Sequence, residues 1–179
     1  HKEYRRQRQM CIRDSKLSAQ GGMKGFALYH KALALALTGD LDGALAILDQ
    51  GDIGPIRGTR RAVAAKAQVL ALLDRRDQAL ATLAAAFPPG KDPAMDDLSR
   101  RIQAGAPLSF DIVAKPSDGV AEVVYDMASA LIGQADDPYV LMFSRTAAAL
   151  RPDHVEAVML SAQLADRLNQ HDLAAQTYA

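Results

Sequence analysis

Three histidines outside the first fifteen residues, His30, His154 and His171, are the side chains of this 179-residue chain that could act as a base or a metal ligand near neutral pH. None has a partner at ligand spacing, whether a histidine four residues away on one helix face or a carboxylate triad beside it. His30 has the chemistry of a base, and its place on a helix reads as a surface or groove position. The glycines at 51, 54 and 58 follow a helix rather than a strand, and no Gly-Lys-Ser or Gly-Lys-Thr comes after them, so no phosphate loop is present. The paired carboxylates Asp96-Asp97 and Asp136-Asp137 fall at turns or helix starts, where acids suit the helix dipole. These residues predict a chain that is not an enzyme and takes no cofactor and no metal.

The lone cysteine, Cys11, lies in His1 to Ser15, a basic run without helical apolar periodicity and without the apolar core of a signal peptide. Such a run would suit an arm on nucleic acid or on a membrane. Arg5 to Asp14, however, back-translates into what looks like a transposon-based sequencing adapter. Residues 1–15 are therefore read as a non-native scar that adds nothing to the core.

Excluding the scar removes five of 21 basic residues and two of 21 acidic ones, which leaves 16 against 19 and a net charge of about −3. No thiol remains for a disulfide, a metal site or a nucleophile, and the compartment stays open between cytoplasm and periplasm. The basic pairs Arg60-Arg61, Arg75-Arg76 and Arg100-Arg101 stand close to acids or small polar residues. A single strand would ask for a stripe of cations with interleaved aromatics, and the net acidity argues against it, so no nucleic acid partner is expected. No apolar run approaches the roughly 18 residues of a membrane span. Half of the residues are apolar and 5% are aromatic, a balance that suits helices packed through Ala and Leu.

The elements that must position these side chains are helices, and they repeat. Ala128 recurs as Ala162 one 34-residue period later, and each copy reads as helix, polar turn, helix. Twelve residues separate Ala128 from Val140 and Ala162 from Ala174, small residues where two helices must cross closely. Pro152 cannot continue the preceding helix. Asp153 followed by Glu156 reads as a capping box for the next one. The same spacing of twelve joins Ala32 to Ala44 and Ala67 to Ala79.

Ala32, Gly39, Ala44 and Leu48, then Ala67, Ala79 and Leu83, then Ala162, Ala174 and Tyr178 resemble the tetratricopeptide repeat pattern. The third copy departs from it at Val140 and Ser144, and the family's tryptophan is absent. The phrases around Tyr29 to Leu45 and Tyr139 to Gln163 are similar to alphaproteobacterial members of that family, and the chain reads as a fragment of one. The resemblance implies an all-α solenoid of about four repeats. Their bounds are 25–58, 60–91, 120–152 and 154–179, within one domain over 16–179. An insertion over 92–118 carries a helix capped by Asp92, running from Pro93 to Ala104 and closed by Gly105, and then an extended run from Leu108 to Val113. Leu108, Phe110 and Ile112 alternate with Ser109 and Asp111. That pattern reads as a connector laid on neighbouring helices in preference to an edge strand open to a partner.

In this family the first helices of successive units line a concave, partner-holding face. Carried over by position, the resemblance nominates Tyr29, Arg61, Gln68, Glu122, Tyr125, Asp126, Glu156 and Gln163, together with Phe26, Leu33, Ser129 and Met159, against a competing role in packing between units. The expected function is a scaffold that binds a peptide or protein. The alternatives are a non-catalytic segment of a larger enzyme or envelope assembly factor, or a spacer.

Overall fold

The computed structural model describes residues 23–178, and every regular element among them is helical. Residues 1–15, read as a scar, lie outside the described residues. In chain order the α-helices are α1 (Lys24–Leu37), α2 (Leu41–Leu48), α3 (Arg60–Leu72), α4 (Arg76–Ala86), α5 (Pro93–Gln103), α6 (Pro116–Leu131), α7 (Asp137–Leu150), α8 (Val155–Arg167) and α9 (His171–Tyr178). They pack as two compact units, 23–114 and 115–178.

Four helical hairpins share one construction. The second helix begins nine residues after the crossing alanine each time: Leu41 after Ala32, Arg76 after Ala67, Asp137 after Ala128, His171 after Ala162. All four alanines are completely buried, as are Ala44, Ala79 and Val140 opposite them, so nothing larger than a few carbons separates the paired helices. Three of the first helices stop through the same closure. The N–H of Asp40 donates to the Leu35 carbonyl at 2.9 Å, Arg75 to Leu70 at 2.9 Å and Gln170 to Ala165 at 2.8 Å. Each closure needs a left-handed residue just before it, supplied by Gly39 (φ 89°), Asp74 (φ 58°) and Asn169 (φ 58°).

The third hairpin differs at its link. Helix α6 stops at Leu131, and Gly133 (φ 72°) turns the chain within the five residues 132–136, where the other hairpins use three. The two residues that break the repeat pattern nevertheless hold their places. Val140 and Ser144 are fully buried, and the Ser161 hydroxyl of α8 donates to Ser144 Oγ at 3.0 Å. A hydroxyl pair replaces a bulky apolar contact there, which leaves no buried polar atom stranded.

In the first unit α2 leads into two short 3₁₀ turns over Gly51–Gly58, kinked at Gly54, whose φ of 60° and ψ of −147° are accessible to glycine. The segment folds back over α1 and buries Ile53. Its approach is so close that a Cβ on Gly25 would lie 2.6 Å from the Ile53 carbonyl oxygen. Asp92 caps α5 by accepting the N–H groups of Ala94 and Met95 at 3.1 and 3.2 Å, and Arg60 of α3 donates to the same carboxylate at 2.6 Å. After Gly105 (φ 64°) the chain runs without regular structure to Ala114. Ile112 and Val113 enter the core of this unit, and Leu108 and Phe110 pack against it. The alternation therefore marks a connector and not a strand.

Candidate functional site

Two polar clusters on first helices gather most of the residues nominated from sequence. On α3, Gln68 points inward beneath the connector. Its Nε2 donates to Asp111 Oδ1, and its Oε1 accepts the Asp111 backbone N–H at 3.1 Å. Two turns earlier Arg61 donates to the Ile112 carbonyl at 3.4 Å. An extended stretch of polypeptide is thus held against a first helix by hydrogen bonds to its own backbone. Gln68 is buried in doing so, and Arg61 is half-buried.

The second cluster joins α6 to the start of α8. Asp118 accepts the Lys115 N–H at 3.2 Å and fixes the first turn of α6, which places Glu122 and Tyr125 one and two turns further along. Glu122 is fully buried. Its Oε1 lies 3.5 Å from Arg151 Nη1 and 3.3 Å from His154 Nε2. Arg151 also donates to Asp153 at 3.0 Å, and the Arg151 guanidinium holds the Asp153 carboxyl below its ordinary range. The capping box expected at Asp153 and Glu156 is not formed. His154 is the cap instead, its Nδ1 accepting the Ala157 N–H at 3.2 Å, because Asp153 is already engaged by Arg151.

That cap fixes the tautomer. A nitrogen that accepts carries no proton, so the ring hydrogen is on Nε2 and faces Glu122. At 3.3 Å the contact is a dipole beside a charge rather than an aligned hydrogen bond. The Tyr125 ring closes over the imidazole with centroids 4.6 Å apart. A carboxylate facing an imidazole is the skeleton of a general base. Here the nitrogen that would take the proton is used by the backbone, and the ring is fully buried. The arrangement anchors the N-terminus of α8 onto α6.

The remaining nominated residues separate by burial. Tyr29 on α1, Gln68 on α3 and Glu122 on α6 are buried. Arg61, Tyr125, Asp126 and Glu156 are half-buried, and Gln163 is exposed on α8 in line with Val155 and Met159. The residues nominated as partner contacts include neither Arg151 nor His154, although His154 was weighed as a base or ligand. The available signal was a histidine at the residue before a helix start, thirty-two positions from the carboxylate it meets. His30 lies in an aromatic group with Phe26 and Tyr29, and His171 pairs with Asp166 at 2.8 Å on the surface. Among the described residues no group of three or more potential ligands is placed to hold a metal ion, and no helix is long and apolar enough to cross a membrane.

These hairpins define an all-helical, tetratricopeptide-like class of fold. No protein-family model and no curated protein matches the sequence. Among solved structures the chain is similar to one described as the MamA RS-1 ArsTM double mutant, at 20% identity over 99% of this chain and 89% of that one, with a TM-score of 0.32. The class rests on the hairpins themselves.

Proposed function

We propose that the protein is a non-enzymatic scaffold that holds an extended segment of a partner protein along a first-helix face. The observation that carries this reading is the internal clamp of Gln68 and Arg61 on residues 111 and 112. Gln163 stands one residue after Ala162 as Gln68 stands one residue after Ala67, and Glu156 corresponds in the same way to Arg61. In the second unit that face is lined by exposed Val155, Met159 and Gln163, with half-buried Glu156 next to Val155 in the chain. An amide at this position offers both a donor and an acceptor to a passing peptide unit. A carboxylate in place of Arg61 favours a segment with a cation at that point.

The second unit reinforces this choice of partner. Residues 115–179 hold four Lys and Arg against nine Asp and Glu, a net of −5, whereas residues 23–114 hold eleven against ten. A basic, extended segment therefore suits the α8 face.

A displayed library of random peptides selected on the whole chain tests the proposal. Enriched sequences should carry Lys or Arg, and their affinity should fall about tenfold, about 1.4 kcal/mol, on Gln163→Ala or Met159→Lys. The melting temperature of both variants should stay that of the wild type. Peptides that bind both variants as tightly as the wild type would remove the α8 face from the function.

A further inference from the structure

The cap that His154 places on α8 requires a neutral imidazole. The ring is fully buried, its Nδ1 accepts the Ala157 N–H at 3.2 Å, and its Nε2 carries the ring hydrogen toward Glu122 at 3.3 Å. A second proton has one place to go, Nδ1, because Nε2 is already occupied. Protonated there, the ring presents a donor to the Ala157 N–H, and two donors cannot share a hydrogen bond. The cap is therefore lost when the ring gains a proton.

An acceptor for the new donor is already in place, since Glu156 Oε2 lies 3.5 Å from Nδ1 while Glu122 Oε1 faces the other nitrogen. Charged groups reach the ring from every element packed on it. Helix α6 brings Glu122 and, one turn further along, Asp126; the end of α7 and the link after it bring Arg151 and Asp153; α8 brings Glu156. The ring of Tyr125 on α6 lies over the imidazole with centroids 4.6 Å apart. Four carboxyl groups stand against one guanidinium, a surplus of negative charge that opposes the cost of burying an imidazolium.

We propose that His154 is a proton-operated catch on the first turn of α8. Neutral, it caps the helix through Ala157; protonated, it releases that N–H and bridges Glu122 to Glu156, drawing the 3.5 Å separation from Glu156 into a hydrogen bond. The catch lies wholly within the second unit and does not depend on the α8 face holding a peptide.

Nitrogen NMR of the whole chain, labelled in its backbone and histidine rings, reads both halves of the catch between about pH 8 and about pH 5, the range in which histidine changes charge. The His154 Nδ1 resonance should change from that of an unprotonated nitrogen to that of a protonated one, and the Ala157 amide resonance should move with the same midpoint. Glu156→Gln should lower the shared midpoint by about one pH unit, because a carboxylate close to the ring favours its charged form. His154→Asn supplies a capping oxygen that takes no proton, so in that variant the Ala157 amide should hold its position throughout. An Nδ1 that stays unprotonated down to the pH of unfolding overturns the proposal. So does an Ala157 amide that titrates apart from the ring or still moves in His154→Asn, or a midpoint unchanged by Glu156→Gln.

Discussion

Replacing Glu122 with alanine should destabilise the second unit through the charge it leaves behind rather than through the volume it removes. Glu122 is fully buried, and its Oε1 faces Arg151 at 3.5 Å and His154 at 3.3 Å. The Arg151 side chain is 11% exposed and also binds Asp153, which is 77% exposed, at 3.0 Å. Removing one partner of a buried ion pair costs roughly 3 to 5 kcal/mol. Retention of Asp153 sets Glu122→Ala at the low end, about 3 kcal/mol, which for a chain of this length lowers the melting temperature by roughly 6 to 12 °C. Glu122→Gln keeps the volume and an acceptor for His154, so the loss should be about half as large. Glu122→Leu combined with Arg151→Met removes both charges and should recover most of the deficit.

Urea unfolding followed by far-UV circular dichroism measures these losses. Amide exchange locates them, since the Ala157 N–H capped by His154 should lose protection first. A Glu122→Ala protein within 1 kcal/mol of the wild type would refute the reasoning, and so would a double variant no more stable than Glu122→Ala.

Three further perturbations test other parts of the fold. Arg60 donates to Asp92 and holds its carboxyl below the ordinary value of 3.8, so the stability it contributes is present above that pH and is lost as pH falls through the depressed folded value; Asp92→Asn should flatten the acid limb of a melting temperature against pH profile. Gly25→Ala places a methyl 2.6 Å from the Ile53 carbonyl oxygen and should cost about 1 to 3 kcal/mol in a denaturant titration, whereas Gly58→Ala, with open space around it, serves as the control. Asp74→Gly and Asn169→Gly relieve left-handed backbone at φ 58° and should each raise stability by up to about 1 kcal/mol, readable by calorimetry; a loss would mean that the side chain has a contact worth more than the strain.

Local chemistry determined much of this protein from sequence alone. The spacing of Ala32, Ala44, Ala67, Ala79, Ala128 and Ala162 specified helical hairpins because only small residues let two helices approach at those points. Asp92, Pro93 and Gly105 marked both ends of α5 because caps are satisfied within a turn of the chain. Tertiary structure decided which of the nominated polar residues face outward. Gln68 turns inward because Asp111, forty-three residues away, supplies the partner that its burial requires. Glu122 is buried because Arg151 and His154 arrive from the start of the next hairpin. Whether a polar side chain on a helix is a contact for a partner or a bond within the fold depends on groups distant in sequence, and no periodicity records their arrival.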